Sequence, residues 1–516
     1  MTAQSKDVPK FFLILTAFFG LYVRLFPLFK TTFPLVDGGM FYTMIKDLQS
    51  SNFALPVFTT YNQAEIPYAY PPLAFYIAGF LNTVTGISSI NIIKWVPAFI
   101  SILTIPFFYF FVKLVFNSEA KAALATLIFA LTPNSYWWDI VGGGLTRSTG
   151  TLFFIITTIS AYQMYRGKKT IWVIATIISG AFVVLSHLSW ALQSAAVVAL
   201  LWIFWGRNKQ GTVNSVIVVV GILLLTSPWW VTILQRHGIW AFLQAGQVNH
   251  SRWLSWTILF ALSFTGEYTP VIAVFALTGL FIHLGKKEYF FPLWAIVCLV
   301  VDPRGGPPAS IFPFTIMAMT TITDGIAPLL FNIEASDQSS DTWMRSLNGI
   351  VGRLFFGFFI ILFLYNAYSV SDTLSYQVVG AEEFKAIEWV KSNTNVTDRF
   401  LILDEQGNPL LSPFTEWFPA LAFRRSVATI QGAEWLGGDR HYNKQLSVIT
   451  NIHGCLYQNV DCIYSLQDKL TDRYDFIIVS SKSPVPLLSS LAGHIDFMSV
   501  YSSPTINIFK FTGKGE

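Results

Sequence analysis

Apolar runs of about 20 residues recur along the first 370 positions, separated by short polar segments. A helix of that length crosses the hydrocarbon layer with every backbone group satisfied internally. The runs predict eleven spans, at 10–28, 88–112, 122–138, 148–165, 170–186, 188–205, 213–233, 268–285, 289–301, 309–330 and 349–370. Segment 252–266 reads as a further span or as a helix lying on the outer surface. PPLAFYIAGFLNTVTG (71–86) is apolar but short and opens on two prolines, so it reads as an interfacial helix. Counting it as a span would strand Lys113 and Lys121 outside.

Beyond 370 the pattern changes. RFLILD (399–404) and YDFIIVSS (474–481) have the apolar runs and polar boundaries of buried strands, and AEEFKAIEWVKSN (381–393) has a helical period. FMSVYSS and INIFKF, split by Ser503-Pro504, predict a closing hairpin. The expected fold class is thus a polytopic α-helical membrane protein of about eleven transmembrane helices, residues 1–370, with a soluble α/β domain, residues 371–516.

Charge supports the division. Only 12% of the chain is charged, against about 25% in soluble domains, and more than half of its 29 acidic residues follow position 370. The net charge of +4 is not gathered on one surface, which argues against nucleic acid. Lys and Arg instead cluster between spans: Lys6 and Lys10, Lys113 and Lys121, Arg166 to Lys169, Arg207 and Lys209, Lys286 and Lys287, and Arg345. Basic loops stay cytoplasmic, so the N-terminus is expected in the cytoplasm and the C-terminal domain outside a plasma membrane. No cleavable leader is apparent. Cys298 lies within a span. Cys455 and Cys462 are a candidate disulfide if the compartment is oxidising. Sequons at Asn249 and Asn395 fall outside in this topology.

The first outer loop, about 29–87, holds the most chemistry. Arg24 stands near the outer end of the first span, Asp37 just beyond it ahead of an amphipathic helix, and Tyr70-Pro-Pro-Leu73 precedes the interfacial helix. As an isolated residue, Asp37 also suits a helix cap for the segment starting at Gly38 or Gly39. Asp139 in YWWDI, His187 in LSHLSW and Glu267 in FTGEYTP are further polar groups expected on the outer side.

This order of Arg, Asp, amphipathic helix, Pro-Pro-Leu and long second span resembles the GT-C superfamily, such as protein O-mannosyltransferases and lipid A aminoarabinose transferases. It is also similar to a group of bacterial and archaeal membrane proteins with an Rgt-like glycosyltransferase domain. The resemblance covers residues 10–330 as architecture and 20–80 as motif. It implies that Asp37 is the catalytic base, taking the proton of an acceptor hydroxyl. Many relatives carry Glu after this Asp, and here Gly38 follows. It implies a sugar donor on polyprenyl phosphate, for which Arg24, Arg147 in GGGLTRSTG and Arg304 in DPRGGPP are the candidate phosphate ligands, since Arg grips phosphate through a planar fork. The oligosaccharyltransferase branch keeps metal-binding acids near the position of Asp139, so a divalent metal is weighed there, although the pattern matches poorly. EWFPALAFRRSVATIQGAEW (416–435) resembles a pattern of the same group, with Phe423 where relatives have Gly. Its Glu416, Trp417, Arg424, Gln431, Glu434 and Trp435 are candidates for sugar or acceptor binding, or form a loop packed on the membrane face.

The function expected is transfer of a sugar from a polyprenyl-phosphate donor to a glycan, lipid or protein acceptor outside the membrane, with inversion and without an assured cofactor. The alternatives are a transporter or lipid flippase, with Asp324 the main intramembrane acid, and a non-catalytic scaffold of the same fold.

Overall fold

A computed structural model describes residues 3–513 except 168, 248–269, 304, 332–341, 407 and 471. Helices occupy all eleven expected span positions. They include α1 (Ala3–Lys30), α4 (Ser89–Phe116), α5 (Glu119–Leu131), α6 (Gly144–Gly167), α7 (Thr170–Ser186), α8 (Leu188–Leu201) and α9 (Lys209–His237). Further helices cover Pro270–Gly285, Phe290–Val301, Gly306–Thr320 and Ile350–Leu374. Six are long and apolar enough to cross a membrane by length and composition. The rest are shorter or, like the Thr- and Ser-rich α6, more polar and buried. The most apolar 18-residue window of Gly306–Leu330 is 83% buried, whereas that of α9 is 22% buried. Gly306–Leu330 therefore lies central and α9 peripheral, where Val216, Val219, Leu223 and Leu224 face outward as lipid-facing side chains do.

Segment 122–138 is shorter than expected. α5 ends at Leu131, Thr132 turns extended, and Pro133 opens a short 3-10 turn. The residue before a proline is pushed from helical geometry. The freed stretch 133–143 becomes a loop at the end of the bundle. Segment 71–86 forms the short apolar helix α3 (Leu73–Thr85), after α2 (Gly39–Ser50) and a two-residue hairpin, β1 (Phe58–Thr59) with β2 (Ile66–Pro67). Segment 252–266 lies outside the described residues.

The two ends of the bundle differ in chemistry. At one end Asp324 pairs with both Lys121 and Lys286, each at 2.7 Å. These join α5, the turn after Pro270–Gly285 and the widened helical turn Thr321–Ile326. Asp324 thus acts as a tie between helices. At the opposite end the first loop, the 133–143 loop and the C-terminal domain meet.

That domain is a five-stranded sheet in the order β4-β3-β5-β7-β6, with β3 (Arg399–Asp404), β4 (Arg425–Ser426), β5 (Phe476–Ser480), β6 (Phe497–Ser502) and β7 (Ile506–Phe511). β3 is parallel to β4 and β5, and β7 runs antiparallel to β5 and β6. Phe400 to Leu403 are fully buried, as a central strand covered on both faces requires. Cys455 and Cys462 form a disulfide with Cα atoms 5.5 Å apart.

Candidate active site

Asp37 is held in an unusual backbone. Val36 has φ 56° and Gly38 has φ 128°. A β-branched residue at positive φ is a rare outlier, retained only where the surroundings fix it. Here Val36 N donates to Gln377 O at 2.7 Å, and Gly142 N donates to Leu35 O at 2.9 Å. The chain thereby presents the Asp37 side chain to the 142–147 segment. Gly143 N donates to Asp37 Oδ1 at 2.7 Å, and Arg147 Nη2 donates to Oδ2 at 3.2 Å. Both side chains keep about a fifth of their surface exposed, 20% for Asp37 and 22% for Arg147. Arg147 is braced from behind: its Nε donates to Trp138 O at 3.0 Å, and its guanidinium lies over the Trp138 ring, 4.9 Å from the ring centre.

The glycines of GGGLTR explain the close approach. A Cβ at Gly142 would overlap the Asp37 carbonyl, and one at Gly143 would overlap its carboxylate. These glycines let the 142–143 backbone approach Asp37.

The cap of α2 comes from elsewhere. Glu416 is buried, and its carboxyl oxygens accept from Gly39 N at 2.9 Å and Met40 N at 3.2 Å. Asp37 therefore does not cap α2, and its carboxylate is turned to Gly143 and Arg147 instead. Burial first, and the charge of Asp37 second, push the Glu416 carboxyl up to about 8, against the pull of the backbone N–H donors. Tyr61 Oη donates to Glu416 O at 2.7 Å. Trp417 is fully buried with its ring edge-on to Phe33, centroids 4.6 Å apart. Glu416 and Trp417 are thus a clasp joining the soluble domain to the Asp37 loop, not an exposed sugar platform. The clasp also accounts for Gly38. A Cβ there would sit 2.9 Å from the Trp417 ring and 3.1 Å from Gly142 Cα, at a φ that favours glycine. The acid that relatives carry at this position has no room in this loop.

The other candidates divide. Asp139 is buried beside the pair, accepting from Thr151 Oγ1 at 3.3 Å, and burial pushes its carboxyl up to about 7 against the attraction of Arg147. Among the described residues no group of three or more His, Cys, Asp or Glu could hold a metal ion. Tyr70, His187 and Trp435 come together: the Tyr70 ring centre is 6.2 Å from His187 and 5.8 Å from Trp435. Arg24 is not brought to the site. It is fully buried and donates to Ser101 Oγ, Gly20 O, Ala130 O and Ser135 Oγ, as a brace between α1, α4 and α5. Arg424 is likewise buried and spent on carbonyls, among them Thr394 O at 2.8 Å. Gln431 lines a separate cleft, and Glu434 opens the helix Glu434–His453 beside Trp435. Arg304 and Glu267 lie outside the described residues.

Two contributions were not legible beforehand. Lys94 is buried near the start of α4 with its ammonium on Thr31 O at 2.6 Å, a cation at the base of the first loop. Arg236 and His237, at the end of α9, bind the carbonyls of Leu55 and Val57 and so anchor the same loop. Both read in the sequence as charges at helix ends, with no local mark of their partners.

No family model matches the chain, and no curated protein matches it in sequence. Solved structures do. It is similar to ArnT from Cupriavidus metallidurans bound to undecaprenyl phosphate, with a TM-score of 0.55, 14% identity, and coverage of 96% of this chain and 97% of that one. It is also similar to the arabinofuranosyltransferase AftD from Mycobacteria, in the R1389S mutant, with a TM-score of 0.52 and 11% identity. That match covers 98% of this chain and 42% of AftD. Agreement with ArnT over 96% of this chain and 97% of that one shows that the two share a fold, a bundle of apolar helices with a C-terminal sheet domain.

Proposed function

We propose that the chain is a membrane glycosyltransferase in which Asp37 is the general base, using a sugar donor carried on polyprenyl phosphate and an acceptor on the outer side of the membrane. The observation that carries this reading is the division of labour between two acids. Glu416 caps α2, which releases Asp37 from structural duty and leaves it partly exposed against Arg147. ArnT binding to undecaprenyl phosphate supports the donor class.

In the reaction the acceptor oxygen attacks the anomeric carbon and its proton passes to an Asp37 carboxylate oxygen. The bond from the anomeric carbon to the phosphate oxygen breaks, and polyprenyl phosphate leaves with the electron pair. Attack from the face opposite the leaving group inverts the anomeric centre. Arg147, whose Nη1 edge makes no hydrogen bond among the described residues, is placed to receive the growing phosphate charge. Donor phosphate would thereby draw Arg147 off Asp37 as the base is needed.

The test is Asp37→Asn, assayed with polyprenyl-phosphate sugars in nanodiscs. Asn keeps an acceptor for Gly143 N and loses only a partly exposed ion pair, worth about 0–1 kcal/mol. Loss of a general base costs about 10²–10⁴-fold in rate. The expected variant is folded, binds donor and does not turn over. Near-normal turnover would reject Asp37 as the base and shift attention to Asp139.

A further inference from the structure

A cleft of about 230 Å³ opens between the first loop and the soluble domain, away from the Asp37 carboxylate. One wall is Asn62 to Ile66; the others are β4 with the residues after it, and the helix Glu434–His453. The walls are fixed to each other: Asn62 Nδ2 donates to Ser426 O at 3.0 Å, and Ser426 N donates to Asn62 Oδ1 at 2.7 Å. Two polar atoms in this lining have no partner although both are buried, Ser426 Oγ and Gln431 Oε1. Such orphans are uncommon and point to a group supplied from outside the fold. His441 and Gln445 add further donors and acceptors.

Two of the three charged side chains that line the cleft, Arg425 and Asp472, are already committed, and Lys469 is the third. Arg425 donates to Gln63 O at 2.9 Å and pairs with Asp472, which also pairs with Arg399 at 3.4 Å. An anionic ligand would meet Lys469 alone and would have to break that network to gain a second cation. The unmet demand is for neutral hydrogen-bonding groups, each able to donate and accept, beside the apolar surface of Ile66, Leu436 and Val448. A sugar ring has this chemistry, with hydroxyls at its rim and C–H bonds on its face. We infer that the cleft is a saccharide-binding subsite that grips the glycan portion of the acceptor at a distance from the reacting hydroxyl. The acceptor is then itself a glycan or glycoconjugate, an assignment that rests on the glycosyltransferase reading above.

The test uses the full chain in nanodiscs and saturation-transfer NMR with free aldohexoses, aldopentoses, hexosamines and their disaccharides. Wild type is expected to bind at least one class. Gln431→Met removes the orphaned amide at nearly constant shape, and Leu436→Trp fills the cleft from a position that is 41% exposed. Each should weaken that saccharide about tenfold or more, as loss of a hydrogen bond or of the space implies. Asp37→Asn should bind it as wild type does. A wild type that binds none of the probes, or binding untouched by both cleft variants, overturns the subsite. Retained cleft binding together with active Asp37→Asn would instead reject the base and leave the subsite standing.

Discussion

Glu416 offers the sharpest physical test of how the soluble domain holds the Asp37 loop. It caps α2 through two buried backbone N–H groups contributed by residues more than 370 positions away in the chain. Glu416→Ala leaves both donors unmet. At about 1–3 kcal/mol for each, local opening of α2 should become easier by roughly 2–6 kcal/mol. Amide hydrogen exchange over Gly39–Leu48 should then quicken by about 30-fold or more, since each 1.4 kcal/mol is a factor of ten. Glu416→Gln separates charge from shape. Gln keeps one carbonyl oxygen for one of the two N–H groups and turns its own NH2 toward the other, so it should keep part of the protection that Ala loses. The pH dependence has a definite sign. An acid whose pKa is higher in the folded protein binds its proton more tightly there. Its stabilising contribution is full below the ordinary carboxylate range and is lost as pH rises from about 4.5 towards about 8, on the order of a few kcal/mol in all. Wild type should therefore lose protection in α2 relative to Glu416→Gln across that window. Unchanged exchange in Glu416→Ala, or a Gln variant as damaged as Ala at pH 7, would refute the clasp.

Gly143→Ala should cut turnover about 10²-fold with the chain still folded, because the added Cβ displaces the Asp37 carboxylate and lies 2.9 Å from Arg147 Nη2; donor-saturated rates measure it. Asp324→Asn should lower thermal stability by about 1–3 kcal/mol, leaving Lys121 and Lys286 unpaired, while turnover per folded molecule holds. Loss of activity with stability intact would favour a transport role for that acid. Finally, a maleimide that cannot cross the membrane should label Ser483→Cys from outside and Lys209→Cys from the cytoplasm; both positions are exposed. The reverse pattern would invert the assigned orientation.

The helical bundle was legible because hydropathy is a local property. A long apolar run favours a helix over its own length, and helices stand at all eleven expected places. The same holds for RFLILD and YDFIIVSS, whose alternation with helical segments announced the α/β domain and its hairpin. The boundary at 138 failed for a local reason too: Pro133 ends α5 early, and the apolar residues after it form a loop under the site.

Roles were another matter. Arg24, Arg147 and Arg424 looked alike as cations at helix or loop ends, yet Arg24 and Arg424 are buried braces and Arg147 alone of the three faces Asp37. Glu416 read as a sugar-binding candidate or part of a packed loop and is a buried cap, and Gly38 read as a missing carboxylate and is a position with no space for one. The sequence by itself determined the apolar helices, the main strands of the sheet domain and the presence of an acid in the first loop, because each depends on residues adjacent in the chain. Only the tertiary structure decided what that acid touches. Its partners Gly143 and Arg147 lie 106 and 110 residues away, and the residue that relieves it of capping lies 377 residues from Gly39. Hydrogen-bond direction and burial at such separations are set by packing, which no local pattern encodes.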